Sequence, residues 1–347
     1  MNFALKVRFS LFAVLALGAG PAGLSAASAA RPAPVEIKLA TILPSGTSGH
    51  QRLMELRDTW QKDSAQSVKL TVYPGAGDGE IALVRKMRAR QLQAVLVSAV
   101  GLSQIDRSAT CLQIMPLMFR NWREVDYVRE KIRGDLEARL RAKDCEVLFW
   151  ADAGWVRFFS KTPAVRPADF KPMKIFVWAG EPNQLGLMRD MGYQPVGLET
   201  EQILPGLSTG MIQAVPVPPF LANSLQFNRY AGHMLELNWV PIVGAAVVRR
   251  DTWEKIPAEL RARLKQSGEE IGERIRMKSR EEDEDAIAAM KKRGLIVHDV
   301  PPADLADWRS SVEKAYPRIR GTMVPADLFD QVRAHLVEFR SLQAAAR

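Results

Sequence analysis

The sequence predicts a two-domain α/β protein whose domains are spanned by one long helix. Three observations predict this fold. The chain of 347 residues is long enough for about two domains. Strand patterns alternate with helical patterns in two separate stretches, and this alternation is typical of parallel sheets covered by helices. A single helical pattern then runs from Pro257 to Arg293 without an internal proline.

The first α/β stretch alternates three short strands with two helices. Strands are expected at residues 35–41, 68–74 and 94–100, where the sequence is apolar or alternating. Apolar residues recur at helical spacing in both intervening segments. A further helix is expected after Asn121, because Asn121 and Glu124 have the spacing of a capping box. The order β-α-β-α-β predicts an open sheet with helices on both faces.

The second stretch repeats this organisation and ends with the long helix. At 1.5 Å per residue, about 36 residues span about 54 Å, which exceeds the width of one small domain. The helix is therefore expected to cross both domains; a break near Gly268 and Gly272 is the alternative. The remaining strands are expected at 146–151, 156–160, 173–178, 194–198, 213–217, 241–250 and 294–300. The remaining helices are expected after 181 and at 199–211, 302–315 and 325–345.

These patterns predict two domains, each built from two parts of the chain. Domain I is expected to comprise residues 31–152 plus 240–270. Domain II is expected to comprise 153–239 plus 271–347, with the long helix and the C-terminal helices. A cleft between two such domains is where ligands bind preferentially, and closure of the domains around the ligand is a known motion.

Residues 1–30 have the three-part pattern of a secretory signal peptide. Lys6 and Arg8 precede an apolar stretch from Phe9 to Leu17, and small residues follow up to Ala30. The apolar stretch is shorter than the roughly 20 residues that a membrane-spanning helix needs. An uncleaved N-terminal anchor is the alternative. The pattern predicts an exported protein whose mature chain starts near residue 30 or 31.

Composition excludes several classes of protein. The net charge of +9 is spread along the chain, so no nucleic-acid partner is expected. Two cysteines cannot form a disulfide scaffold. Cys111 and Cys145 each open a strand-like apolar run, and either a disulfide between them or two buried thiols is compatible with the sequence.

No pattern of catalytic or metal-binding residues is found. The sequence lacks the serine-hydrolase, zinc-protease, phosphate-loop and dinucleotide-binding motifs. The four histidines have no ligand spacing, and the acidic run at 281–285 lies beside basic residues on a helix, as in a solvated face. No enzyme activity, cofactor or metal is therefore expected.

Several segments, in the right order, resemble one family of transport proteins. VKLTVYPGAGDGE, LQIMPLMFRNWREVD, RPADFKPMKIFVWAG and WEKIPAELRARL are similar to segments of the extracytoplasmic solute receptors of TRAP transporters, the DctP type. The resemblance implies a periplasmic protein of the Venus-flytrap class, a monomer or homodimer. It also implies delivery of a small organic ligand to the membrane subunits of a permease driven by an ion gradient.

The chain departs from the family pattern where the ligand binds. Phe176 stands where the family typically has an arginine that holds a ligand carboxylate. Val217, followed by two prolines, stands near a position that is often an amide. Because a buried carboxylate without a partner costs several kcal/mol, these departures predict an organic ligand that is a mono-acid or apolar and aromatic. A dicarboxylate such as succinate is expected to bind poorly.

The resemblance and the aromatic residues together define the expected binding residues. Arg157 either points into the cleft or lies on the wrong face of its strand, since Val156 competes for the family position. Phe176 and Trp178 face either the cleft or the core together. Glu181 either binds a ligand group or caps the following helix. The complete expected set is Trp155, Arg157, Phe176, Trp178, Glu181, Val217, Phe220 and Trp239.

Two alternative functions remain open at this point. The protein could serve an ATP-driven transporter or a sensor kinase as its binding protein. It could also be a periplasmic enzyme on the same scaffold, although the missing acid and base residues argue against this reading.

Overall fold

Two β-sheets, each packed between helices, organise the computed structural model, which describes residues 33–75, 77, 79–179 and 181–345. The signal peptide expected at 1–30 lies outside the described residues. The strands are β1 (Val35–Thr41), β2 (Val68–Tyr73), β3 (Ala94–Ser98), β4 (Cys145–Trp155), β5 (Arg157–Ser160), β6 (Lys174–Trp178), β7 (Gln194–Leu198), β8 (Ala214–Val217), β9 (His233–Leu235), β10 (Pro241–Arg249) and β11 (Ile296–His298).

Thirteen α-helices are found in the described part of the chain. They are α1 (Ser48–Asp63), α2 (Gly79–Arg88), α3 (Ala99–Ser103), α4 (Trp122–Arg141), α5 (Pro167–Phe170), α6 (Pro182–Asp190), α7 (Thr200–Thr209), α8 (Pro219–Ser224), α9 (Arg250–Trp253), α10 (Ala258–Lys291), α11 (Pro302–Glu313), α12 (Tyr316–Ile319) and α13 (Ala326–Ala345). The predicted capping start of α4 is confirmed, because Asn121 Oδ1 accepts a hydrogen bond from the Glu124 amide at 3.1 Å.

The first sheet has the strand order β2-β1-β3-β10-β4. Strands β1, β2 and β3 are parallel, as the alternation of strands and helices predicts, and β10 runs antiparallel to β3 and β4. Helices α1 and α10 cover one face of this sheet, and α2, α3, α4 and α13 cover the other. The strands are apolar on both sides because neither face is open to water.

The second sheet has the order β11-β9-β5-β8-β6-β7. Strand β6 is parallel to β7 and β8, whereas β5 runs antiparallel to β8 and β9. Helices α5 and α11 pack on one face, and α7, α8 and the end of α10 pack on the other. The parallel strands β6 and β8 therefore end at one edge, and the antiparallel strand β5 begins there.

The long helix contributes to the cores under both sheets, as predicted. It runs unbroken for 34 residues past Gly268 and Gly272. Ile271 belongs to the core of the first sheet, and Ile287 and Met290 belong to the core of the second. A Cβ atom on Gly272 would lie 2.8 Å from both Phe149 Cβ and the Trp150 carbonyl oxygen. The two glycines thus lie at close contacts with β4 and do not end the helix.

The chain passes between the sheets at two neighbouring crossings. Strand β4 of the first sheet ends at Trp155, and β5 of the second begins at Arg157. The return passage links β9 to β10. The two passages are joined by backbone hydrogen bonds, from the Val156 amide to the Val240 oxygen at 2.9 Å and from the Trp239 amide to the Val156 oxygen at 3.1 Å.

The structure contradicts one expectation, decides one open alternative and adds one strand. The apolar run that opens at Cys111 is not a strand; Cys111 lies in a 3-10 helix, Arg107–Leu112. Both cysteines are buried free thiols, which settles the open alternative. Strand β9 has no counterpart among the expected elements.

The C-terminal helix α13 packs in the core of the first sheet, although the sequence analysis assigned it to domain II. Apolar periodicity identifies a buried helix face but does not say which sheet covers it. Residues Pro34–Arg347 form one compact unit, and the proposed division into two domains stays a prediction. In the described part of the chain, no helix combines the length and apolar character needed to cross a membrane.

Candidate ligand-binding site

A row of side chains follows the edge of the second sheet where β6 and β8 end. Arg157, the first residue of β5, pairs with Val217, the last residue of β8. On its other side, the antiparallel register of β5 and β9 places Glu236 opposite Arg157. The parallel register of β6 and β8, continued for three residues, brings Trp178 level with Val217. In open α/β sheets, ligands bind at the carboxyl ends of parallel strands, so this row is a candidate binding edge.

Phe176 and Trp178 lie on the same face of β6, with ring centroids 4.8 Å apart and an edge-to-face angle of 79°. Phe176 is only 1% exposed and belongs to the core formed with helices α7, α8 and α10. Trp178 is half-buried at the end of the strand. Val177 on the opposite face is also buried, because helices cover both sides of the sheet. Phe176 is therefore buried in the core next to the candidate binding edge, and Trp178, at the end of β6, is nearer to solvent.

Arg157 is a buried cation surrounded by carboxylates. Its Nη1 forms an ion pair with Glu236, and its buried Nε has no hydrogen-bond partner among the described residues. Burial lowers the pKa of Arg157, and the charges of Glu284 and Asp283 oppose that shift. The sequence analysis missed Glu236, because the three-residue strand β9 that places it gives no clear pattern.

Asp283 on α10 accepts hydrogen bonds from the backbone at the end of β4 and at the start of α8. Its Oδ2 accepts a hydrogen bond from the Trp155 amide at 2.9 Å, and its Oδ1 accepts one from the Phe220 amide at 3.1 Å. Gly154 has a φ of +93°, and a Cβ there would lie 2.1 Å from Asp283 Oδ2. Burial raises the pKa of Asp283 to about 6. The backbone of two expected site residues is thus held by one carboxylate of the long helix.

The aromatic residues expected in the cleft do not form one surface. The Trp155 ring packs on Trp122 at 5.0 Å within the core of the first sheet. Trp239 packs on the opposite face of the second sheet from Phe176, with its ring 5.2 Å from Phe158 and 5.6 Å from Trp308. The structure therefore places Trp239, at 6% exposure, in the core.

Glu181 follows β6 at the position before α6. Its side chain makes no capping hydrogen bond, so the expected capping role is not found. Burial raises the pKa of Glu181 to about 7, and the charge of Glu80 adds to the shift. Among the described residues, the Glu181 side chain has neither a capping hydrogen bond nor an ion-pair partner, so it stays a candidate ligand-binding group.

A second carboxylate, that of Glu80 on α2, lies beside the end of β3 in the first sheet. Its oxygens accept hydrogen bonds from the Ser98 amide at 3.0 Å, the Ser98 hydroxyl at 2.7 Å and the Gly101 amide at 2.9 Å. Burial raises the pKa of Glu80 despite these bonds. Because Ser98 ends β3, Glu80 lies at the carboxyl edge of the parallel strands, and its charge acts on Glu181 of the second sheet. The sequence analysis did not identify Glu80, which could have been found from its place just after β2.

The fold is that of the TRAP periplasmic solute-binding proteins of known structure. One from Ralstonia eutropha H16, solved with bound (S)-2-acetolactate, has a TM-score of 0.79 and 17% identity and covers 88% of this chain and 99% of its own. One from Shewanella oneidensis, solved with bound succinate, has a TM-score of 0.78 and 18% identity and covers 88% of this chain and 100% of its own. These likenesses show that the fold is shared.

The sequence identifies the family. Residues 39–321 match the DctP family, described as bacterial extracellular solute-binding protein, family 7, and the chain belongs to that family. The C4-dicarboxylate-binding periplasmic protein DctP of Rhodobacter capsulatus is 23% identical over 300 residues, which are 84% of this chain and 88% of that protein. The resemblance drawn from the motifs is confirmed.

The protein is therefore a periplasmic solute-binding receptor of the TRAP type. Proteins of this family bind small organic ligands and work with the membrane subunits of a permease. The family and its relatives are transport proteins and not enzymes.

Proposed function

We propose that this receptor binds an organic solute with at most one carboxylate and a substantial apolar or aromatic part. It delivers that solute to a TRAP permease driven by an ion gradient. Residues 1–30 are proposed to be removed on export, and the parts of the chain assigned to domains I and II close over the ligand. The ligand-facing groups in this proposal are Arg157, Trp178, Glu181 and Phe220, with Phe176 and Val217 behind them.

One observation carries the proposal: the guanidinium at the binding edge is already paired. Arg157 is bound by Glu236, and a phenyl ring stands at position 176. A charged hydrogen bond from an arginine contributes about 1.5–3 kcal/mol to carboxylate binding. The side chains placed here supply one such cation for a ligand, and a second carboxylate would stay unpaired at a cost of several kcal/mol.

The ligands of the relatives do not transfer directly to this chain. The Shewanella oneidensis protein was solved with succinate, and the Rhodobacter capsulatus relative is a C4-dicarboxylate-binding protein. At 18% and 23% identity, the fold is shared while most of the aligned residues differ. Specificity depends on these side chains and not on the fold.

A thermal-shift screen tests the proposal. The purified mature protein is heated with a library of monocarboxylates, neutral aromatic compounds and dicarboxylates. A ligand at 100 times its dissociation constant stabilises the folded state by about 2.7 kcal/mol and raises the melting temperature. We expect hits among monocarboxylates and aromatic compounds. Micromolar succinate binding that is abolished by Arg157→Ala would refute the proposed ligand class.

A further inference from the structure

We propose that Glu236 is a specificity-determining residue. Its carboxylate occupies one end of the Arg157 guanidinium and so limits the ligand to a single carboxylate at this edge. This inference rests on the proposed function, because it explains how that site would reject dicarboxylates. Neither the fold nor the family assigns a role to Glu236.

The sheet register holds the two residues opposite each other. Phe158 pairs with Leu235 and Phe159 with Met234, so Arg157 and Glu236 are the next directly opposed positions. Directly opposed side chains on neighbouring antiparallel strands lie on the same face within reach of each other. The Glu236 amide donates to the His298 carbonyl oxygen at 2.9 Å, which fixes its backbone beyond the end of β9.

The ion pair with Glu236 uses only one end of the Arg157 guanidinium. An arginine presents its donors along edges that each hold one carboxylate by two parallel hydrogen bonds. Glu236 pairs with Nη1, and the buried Nε has no hydrogen-bond acceptor among the described residues. A ligand carboxylate that reached this side of the guanidinium would supply the acceptor that Nε lacks.

The local charge disfavours a second ligand carboxylate. Glu236, Asp283 and Glu284 all act on Arg157, so three carboxylates surround one guanidinium. The Arg157 side chain is 7% exposed, whereas that of Glu236 is 37% exposed. Glu236 thus lies on the solvent side of the pair, where the far end of a ligand bound to Arg157 would approach it.

The test compares octanoate with suberate, which have eight carbons each and differ by one terminal carboxylate. Isothermal titration calorimetry measures both acids with the wild type, Glu236→Gln and Glu313→Gln. Glutamine keeps the size of the side chain and an acceptor for Nη1 but removes the charge. Glu313 is exposed on α11 and serves as the matched control for loss of one negative charge.

In the wild type, octanoate should bind more tightly than suberate. In Glu236→Gln, suberate affinity should rise about tenfold or more relative to octanoate, because one charge repulsion is lost. Glu313→Gln should keep the wild-type ratio. In the double variant Glu236→Gln/Arg157→Gln, both acids should bind weakly, because the guanidinium that holds the carboxylate they share is gone.

An unchanged ratio in Glu236→Gln, with octanoate still bound, would overturn the role of Glu236 and leave the proposed function intact. Binding of neither acid to any of these proteins would also overturn it, because the expected preference for octanoate over suberate would then be absent. The thermal-shift screen separately decides the proposed function. If Glu236→Gln does not unfold cooperatively like the wild type, Glu236→Ala is measured in its place.

Discussion

Asp283 shows how one carboxylate can organise a passage between two sheets. Among the described residues no cation is bonded to it, and its oxygens accept hydrogen bonds from the backbone amides of Trp155 and Phe220. The Trp155 amide belongs to the last residue of β4, and the Phe220 amide lies in the first turn of α8, where no carbonyl of the helix itself can accept its hydrogen bond. The glycine at position 154 is required because any larger residue would collide with the carboxylate. Because burial raises the pKa of this carboxyl group, the stability of the fold depends on pH.

The direction of this dependence follows from the raised pKa. The pKa of Asp283 rises from 3.8 to about 6 on folding, so the folded state binds the proton more tightly than the unfolded state. The stabilisation is fully present below about pH 4 and is lost as the pH rises through 6. Between pH 5 and 7.5 the loss is about 1–2 kcal/mol.

We therefore expect Asp283→Asn to flatten the pH profile. The free energy of unfolding of the wild type should fall relative to that of the variant between pH 5 and 7.5, as measured by urea denaturation at both values. Asp58→Asn removes an exposed acid and should follow the wild-type profile. Parallel profiles for wild type and Asp283→Asn would contradict the assigned role.

At the scale of elements, the helix α10 depends on close packing against β4. Its two glycines face the same strand at different distances. A Cβ on Gly272 would meet Phe149 and Trp150 at 2.8 Å, whereas a Cβ on Gly268 would lie 3.4 Å from the nearest atom, the Leu148 oxygen. Only Gly272 therefore requires the absence of a side chain.

The two glycines predict opposite results for the same substitution. Gly272→Ala should lower the free energy of unfolding by about 1–3 kcal/mol, because overpacking displaces β4 or the helix. Gly268→Ala should be neutral or stabilise by up to about 1 kcal/mol, because alanine favours the helix. Urea denaturation of both variants measures this difference. Equal destabilisation would show that the close approach at Gly272 is not what the position requires.

The elements that the sequence predicted well are those with a strong local pattern. Strands β1 and β2 and the long helix α10 follow directly from apolar periodicity and from prolines and turns at their ends. The run after Cys111 was misread because an apolar composition buries a segment without fixing its backbone conformation. Strand β9 has three residues, too few for any periodicity.

The site was harder to predict, because its members come from distant parts of the chain. Phe176 and Trp178 could be placed on one face from their spacing alone, and the structure agrees. The partner of Arg157 depends on the pairing of β5 with β9, which no local pattern reveals. The packing of Trp239 on the opposite face depends on contacts with Phe158 and Trp308 in the same way.

At the scale of the whole molecule, a buried ionic network holds β4, α4 and α10 together. Asp152 accepts hydrogen bonds from Arg129 at 2.8 Å and from Arg280 at 2.6 Å, and Asp126 accepts from Arg280 at 2.7 Å. The Arg280 guanidinium also stacks on Trp122 at 4.4 Å. This network fixes the long helix to the first sheet, so a motion that opens the cleft is expected to move the second sheet.

We expect ligand binding to make the molecule more compact. A chain of this length has a radius of gyration of about 20 Å when folded, and closure of a two-domain receptor should reduce it by about 1 Å. Small-angle X-ray scattering with and without a hit from the thermal-shift screen measures the change. The same compound added to a variant that does not bind it is the control. An unchanged radius with bound ligand would contradict closure.

The place of β10 between β3 and β4 has a consequence for how the protein is made. Strand β10 begins at Pro241, after β5 to β9 of the other sheet have all been synthesised. Until it emerges, β3 and β4 each carry an edge without a neighbour, and such edges invite wrong pairing with other chains. A nascent chain that stops short of residue 241 therefore cannot complete its first sheet, and the unpaired sides of β3 and β4 stay open to aggregation until β10 has been synthesised.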